Sequence, residues 1–146
     1  KDNMPFVWLS MKEIPEEAFI GCKALTEVKV EFDSRLKIIK SKAFANCRSL
    51  TFFDVPESVE SIRSYAFYRC SGLSGSLKLP DKVASIGDYS FFNCSGFNGT
   101  LAISSHMLNI GNHAFSECSG FVGSLRLSSH ICFIGKFLIV LAFLAR

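Results

Sequence analysis

Apolar and polar positions recur along this chain in one fixed order, with a period close to 24 residues. Five blocks mark the period: Ala18-Phe19-Ile20-Gly21-Cys22, Ala43-Phe44-Ala45-Asn46-Cys47, Ala66-Phe67-Tyr68-Arg69-Cys70, Ser90-Phe91-Phe92-Asn93-Cys94 and Ala114-Phe115-Ser116-Glu117-Cys118. Their phenylalanines are separated by 25, 23, 24 and 24 residues. Three positions after each Cys stands a bulky apolar residue: Leu25, Leu50, Leu73, Phe97 or Phe121. An apolar-x-apolar pair follows (Val28/Val30, Phe53/Val55, Leu77/Leu79, Leu101/Ile103, Leu125/Leu127). Next comes an apolar-x-x-Ile step ending at Ile39, Ile62, Ile86, Ile110 or Ile134, with Gly87, Gly111 and Gly135 after the last three.

A unit this short cannot enclose its own apolar residues, so it must stack on its neighbours as a solenoid. The apolar-x-apolar pair has the period of a strand, and Pro56 and Pro80 end it because proline gives no N–H to a ladder. The Ile step predicts a second short strand, and the Gly after it a turn without strain. The Ala-Phe-x-x-Cys block spaces its inward residues by three, which suits one helical or 3-10 turn. The fold class predicted is therefore an α/β repeat solenoid, with short parallel strands ~4.8 Å apart forming a sheet along one side. Residues 1–136 are assigned to it, as a partial first unit and about five more, and residues 137–146 to a separate apolar tail. Length changes fall in turns, at Glu31 to Arg35 and in runs such as Ser-Gly-Phe-Asn-Gly-Thr, where a stacked core tolerates them.

The pattern Cys-x-x-Leu…Leu-x-Leu-Pro-x-x-Val-x-x-Ile-Gly-x-x-Ala-Phe-x-x-Cys resembles the BspA-like, or Treponema-type, leucine-rich repeat. The clearest copies run from Cys70 to Cys94 and from Cys94 to Cys118, and the resemblance covers about residues 11 to 135. It implies a leucine-rich-repeat stack in a surface or secreted protein that binds host or neighbouring cells. The Ser-Gly-Phe-x-Gly-x-Leu variant is most similar to protozoan surface antigens. After Gly135 the chain departs from the family pattern.

Composition narrows the function classes. The 146 residues are 49% apolar and 20% charged, with positive mean hydropathy, which excludes a disordered chain. The net charge of +3 is small and its basic residues are scattered, so a nucleic-acid partner is not expected. Fifteen Phe stand against three Tyr and one Trp, as expected of a residue reused in one structural role. The chain starts at Lys1 without a signal-peptide pattern and is expected to be a fragment or mature segment. Its longest apolar run, Phe137 to Ala145, is short of the ~20 residues a membrane-spanning helix needs.

Candidate chemistry is sparse. Cys22, Cys47, Cys70, Cys94 and Cys118 occupy one place in successive units and are expected to form a ladder of buried thiols beside the interior ladder Phe19, Phe44, Phe67, Phe91 and Phe115. Adjacent rungs approach disulfide distance, but parallel side chains rarely offer the dihedral angle, and five is odd. No Cys-x-x-Cys or nearby His suggests zinc, and His106 and His130 lack a third ligand, so neither metal nor cofactor is expected. Gly-x-Ser-x-Gly and phosphate loops do not occur, and Glu16-Glu17 suits the start of a turn, so the chain is read as no enzyme. Of the sequons at Asn93 and Asn98, the second, in an expected exposed turn, is the candidate glycosylation site, and Asn93, followed by a Cys expected to be buried, the poorer acceptor.

The residue between two inward strand positions points out, which marks Trp8, Lys29, Asp54, Lys78 and Arg126, with Phe52 beside them, as a candidate recognition face. Trp8 has a second reading, as a cover for the N-terminal end of the core. The function expected is non-catalytic recognition of a protein or glycan on another cell or matrix, through the sheet face. The alternative is an intracellular protein–protein scaffold on the same repeats. For the tail, a covering helix, a cut-short anchor and a frame change compete; a partly exposed helix through which the chain self-associates is expected.

Overall fold

The computed structural model describes residues 3–136; the tail assigned above, with its expected helix and self-association, lies outside the described residues. Ten short strands follow one another: β1 (Phe6–Leu9), β2 (Glu13–Ile14), β3 (Glu27–Val30), β4 (Ile38–Ile39), β5 (Ser61–Ile62), β6 (Gly75–Lys78), β7 (Ser85–Ile86), β8 (Phe97–Ala102), β9 (Asn109–Ile110) and β10 (Phe133–Ile134). All pairings between them are parallel, as a chain coiling in one direction requires.

The continuous sheet is the one built from the Ile step. Its six strands run β10-β9-β7-β5-β4-β2, and its register sets Ile14, Ile39, Ile62, Ile86, Ile110 and Ile134 one above another. The first five are buried, while Ile134 at the end of the row is exposed. The apolar-x-apolar segments form two separate pairs, β1 with β3 and β6 with β8. Between them the third unit adds one bridge, Glu27 to Phe52. Val30 leads into the long turn at Glu31, whereas Val55 runs directly into Pro56, and the two segments part beyond this bridge.

The helical turn expected in each coil is absent: no helix occurs among the described residues, and the solenoid is built of strands and turns. The backbone of the Ala-Phe-x-x-Cys block explains the difference. Ala43, Ala45 and Cys47 donate their N–H groups three residues back within the coil, to Lys40, Lys42 and Phe44. The alternate residues Lys42, Phe44 and Asn46 donate instead to Ser64, Ala66 and Tyr68 of the next coil, at 3.0, 2.8 and 2.7 Å. A 3-10 helix needs consecutive i to i+3 bonds, and half of them are spent between coils. A left-handed residue precedes each block and another stands within it, with φ of 57° at Lys42 and 63° at Asn46, and they interrupt any helical run.

One hydrophobic core runs the length of the stack. Phe44, Phe67, Phe91 and Phe115 are fully buried in it, and Phe19, at the N-terminal end, is partly buried. Successive rings from Phe19 to Phe115 lie 5.2, 5.3, 5.0 and 5.4 Å apart at angles of 8–12°. The separations are close to the strand spacing, so the backbone ladder sets the stacking distance of the rings.

The glycines after Ile serve a different purpose from the one expected. Gly111 has no left-handed backbone; a Cβ there would stand 2.4 Å from the Asp88 nitrogen. It is needed because adjacent coils touch backbone to backbone.

Candidate functional site

Strand alternation places the outward side chains. On β3 the buried Val28 lies between Glu27 and Lys29, and on β1 the inward Leu9 follows the exposed Trp8. The parallel register sets Trp8 beside Lys29 and Phe6 beside Glu27, and the bridge sets Phe52 beside Glu27 from the next coil. Trp8 is 61% exposed and Phe52 57%, unusual for residues of their size. Trp8 and Phe52 thus present much of their rings to solvent on the outward side of their coils.

The Lys29 ammonium is the electrostatic centre of this face. Its Nζ lies 5.1 Å from the centre of the Phe6 ring, 5.7 Å from the Trp8 ring and 3.7 Å from Glu27 Oε2. The outer rings thus already hold a cation against their faces. On the fourth coil Lys78 Nζ lies 3.6 Å from Glu57 Oε1.

The turn after β3 closes one side. Its hydrogen bonds, Ser34 N–H to the Glu31 carbonyl at 3.0 Å and Leu36 N–H to Ser34 Oγ at 3.1 Å, tie down the far end and leave Phe32 fully exposed at the tip. Together these elements border an open groove of about 910 Å³, lined by Trp8, Lys29, Phe52, Asp54 and Lys78 and also by Phe32, Glu31 and Asp33. Five carboxylates line it (Glu27, Glu31, Asp33, Asp54, Glu57) against the two ammonium groups of Lys29 and Lys78. The groove is acidic on a chain whose net charge is +3.

Other singled-out residues lie elsewhere. Arg126 is exposed on a segment without strand pairing and does not border the groove. Asn98 is exposed but lies in β8 rather than in a turn, at the register shift opposite β6, with its Oδ1 accepting the Gly75 N–H at 2.9 Å. His106 and His130 are exposed, and His113 stacks on Tyr89 at 4.7 Å. Among the described residues no three His, Cys, Asp or Glu side chains group so as to hold a metal.

The thiols face the core. Cys47, Cys70, Cys94 and Cys118 donate to the carbonyls of Phe19, Phe44, Phe67 and Phe91 at 2.9 to 3.1 Å, each one coil back. Burial pushes the Cys70 and Cys94 thiols well above their ordinary pKa, so neither is an available nucleophile. Cys132, off this ladder, is exposed.

Comparison with known proteins fits this architecture. Residues 7–122 match the BspA type leucine rich repeat region in six copies. The chain belongs to this family. No curated protein matches it in sequence. Among solved structures it is similar to the leucine-rich repeat protein TpLRR of T. pallidum, with a TM-score of 0.82 and 26% identity over 92% of this chain and 64% of that one. A leucine-rich cell surface protein of Faecalibacterium prausnitzii matches with a TM-score of 0.68 and 26% identity, covering 82% of this chain and 37% of that one. A leucine-rich repeat protein of Bacteroides ovatus shares the fold, with a TM-score of 0.74 at 21% identity over 92% of this chain and 40% of its own. The chain therefore spans less than two thirds of the length of each of these three proteins.

The candidate face read from the sequence does not include Glu31, Phe32 and Asp33, which line the groove, or Phe6, which adjoins it. The signal was present: the turn from Glu31 to Arg35 is where the repeat lengthens, and it spends an apolar Phe in a polar turn.

Proposed function

We propose that the chain is a non-catalytic recognition module of a surface or secreted protein, which holds a protein or glycan partner in the groove beside β1 and β3. The observation that carries this reading is the gathering of exposed Trp8, Phe32 and Phe52 around one charged groove. Large exposed aromatics are enriched at binding interfaces, and repeat solenoids commonly recognise partners with such stacked outer rows. Membership of a repeat-solenoid family, and a structural relative described as a cell surface protein, support a binding role at a surface.

The test compares the chain with a Trp8→Ala/Phe52→Ala variant on an array of purified matrix proteins and surface glycans. Both positions are exposed, so the variant keeps its fold. Binding by the parent that the variant loses supports the groove; equal binding by both places recognition elsewhere. Localisation of the protein in its own cell separates this reading from the alternative, an intracellular scaffold on the same repeats.

A further inference from the structure

We infer that the occupant of the groove is a cationic extended peptide segment, with a lysine or arginine side chain laid against the aromatic faces and held by Glu31, Asp33 and Asp54. The inference rests on the groove being the recognition site proposed above, and adds the chemistry of the partner. Three observations carry it.

The first is charge. Glu27 is already engaged by Lys29 and Glu57 by Lys78, while Glu31, Asp33 and Asp54 have no ion-pair partner among the described residues. A neutral sugar would leave these like charges uncompensated, and an acidic peptide would add to them. The second is precedent within the molecule: Lys29 shows that the outer rings accept an ammonium at 5.1 and 5.7 Å. The third is shape. The groove reaches from Trp8 on the first coil to Lys78 on the fourth. Three coil steps of ~4.8 Å make about 14 Å, the reach of some four extended residues.

Trp8 is the single tryptophan of the chain and lines the groove, so its emission reports occupancy directly. The probes are a blocked octapeptide of alternating Lys and Ser, the same peptide with Glu for Lys, and neutral chitotriose. Each is titrated against the whole chain and against Glu31→Gln/Asp33→Asn/Asp54→Asn, whose substitutions are all exposed. The Lys/Ser peptide is expected to change Trp8 emission saturably, to bind about tenfold more weakly to the triple variant, and to weaken as salt is raised. The Glu/Ser peptide is expected to show none of these effects. If chitotriose or the Glu/Ser peptide binds as well and the triple variant changes nothing, the charge inference is overturned while the groove keeps its role. If Trp8 emission shifts with the concentration of the chain alone, a second copy fills the groove and the inference is wrong. If the Lys/Ser peptide leaves Trp8 unchanged up to millimolar concentration it is also wrong, and the array experiment on Trp8→Ala/Phe52→Ala decides separately whether the groove binds anything.

Discussion

The Cys94 thiol lies 3.1 Å from the main-chain carbonyl oxygen of Phe67, one coil earlier, and donates its hydrogen to it. The same oxygen accepts the N–H of Cys70 at 3.1 Å. The carbonyls of Phe19, Phe44, Phe67 and Phe91 thus each serve their own coil through a backbone amide and the next coil through a thiol. A hydrophobic residue of similar size would fill the space but leave the second lone pair bare. Cysteine is the small core residue that also carries a weak donor.

This arrangement sets a pH dependence. Burial, with the neighbouring thiols as lesser causes, raises Cys70 and Cys94 well above their ordinary 9.0. Below about pH 9 these thiols are protonated in both the folded and unfolded chain, so their contribution to stability is fully present. Above it the unfolded chain releases protons that the folded chain retains, and stability falls by up to ~1.4 kcal/mol per pH unit for each thiol. The urea midpoint is expected to decline more steeply above pH 9 than that of a Cys70→Ala/Cys94→Ala variant; parallel curves would refute it. In native protein a thiol reagent should reach exposed Cys132 and spare Cys70, Cys94 and Cys118 until the chain unfolds.

Phe91 is a central rung, with the Phe67 ring 5.0 Å on one side and Phe115 5.4 Å on the other. Phe91→Ala opens a cavity whose walls are held by backbone ladders and cannot close. The expected loss is ~3–5 kcal/mol, a large part of a domain's usual ~5–15. Phe19→Ala, at the partly buried end, should cost clearly less. Equal losses at the two positions by chemical denaturation would show that the stack does not act as a ladder.

Ser90 stands where four other coils have Ala18, Ala43, Ala66 and Ala114. Its hydroxyl is buried, and Oγ has no hydrogen-bond partner among the described residues. Desolvating a hydroxyl without return costs about 1–3 kcal/mol, so Ser90→Ala should raise the denaturation midpoint by an amount in that range. A fall in the midpoint would mean that the hydroxyl has a partner in solution.

The period alone carried the solenoid and its parallel strands, because stacking obliges equivalent side chains to return every coil. What it did not carry is how the backbone amides are shared. The spacing of Ala66, Phe67 and Cys70 suits a helical turn as well as it suits the observed chain of turns, and the distinction lies in Phe67 donating to Ser90 of the next coil. The left-handed residues gave no warning either, since Tyr65, Tyr89 and His113 are bulky types that rarely adopt φ near 55–61°. Their rings stack on one another at 5.1 and 4.7 Å, which offsets part of that strain. Of the groove, the alternation on the strands was legible in Trp8 and Lys29, whereas the wall around Phe32 comes from an insertion that the repeat does not describe.

Gly111 and Gly75 separate two reasons for glycine. A Cβ on Gly111 would meet the Asp88 nitrogen at 2.4 Å and the Gly87 carbonyl carbon at 2.5 Å, so Gly111→Ala must push two coils apart. Gly75 has open space around it but a φ of +78°. Gly75→Ala should cost about 1 kcal/mol through the backbone alone, and Gly111→Ala more, up to ~3 kcal/mol, through the clash. The reverse order of midpoints would show that the coils slide apart at little cost.

The second left-handed site of each block offers the opposite test, a stabilisation. Gly21, Asn46, Arg69, Asn93 and Glu117 occupy it in successive coils, all with φ between 54° and 67°. Gly and Asn tolerate that conformation, whereas other residues pay roughly 1–2 kcal/mol for it. Glu117 is exposed and makes no ion pair among the described residues, so little is lost with its side chain. Glu117→Asn should therefore stabilise the chain by ~0.5–1 kcal/mol, while Glu117→Ala, which keeps the backbone penalty, should not. If both variants gain equally, removal of the charge and not relief of the backbone is the cause.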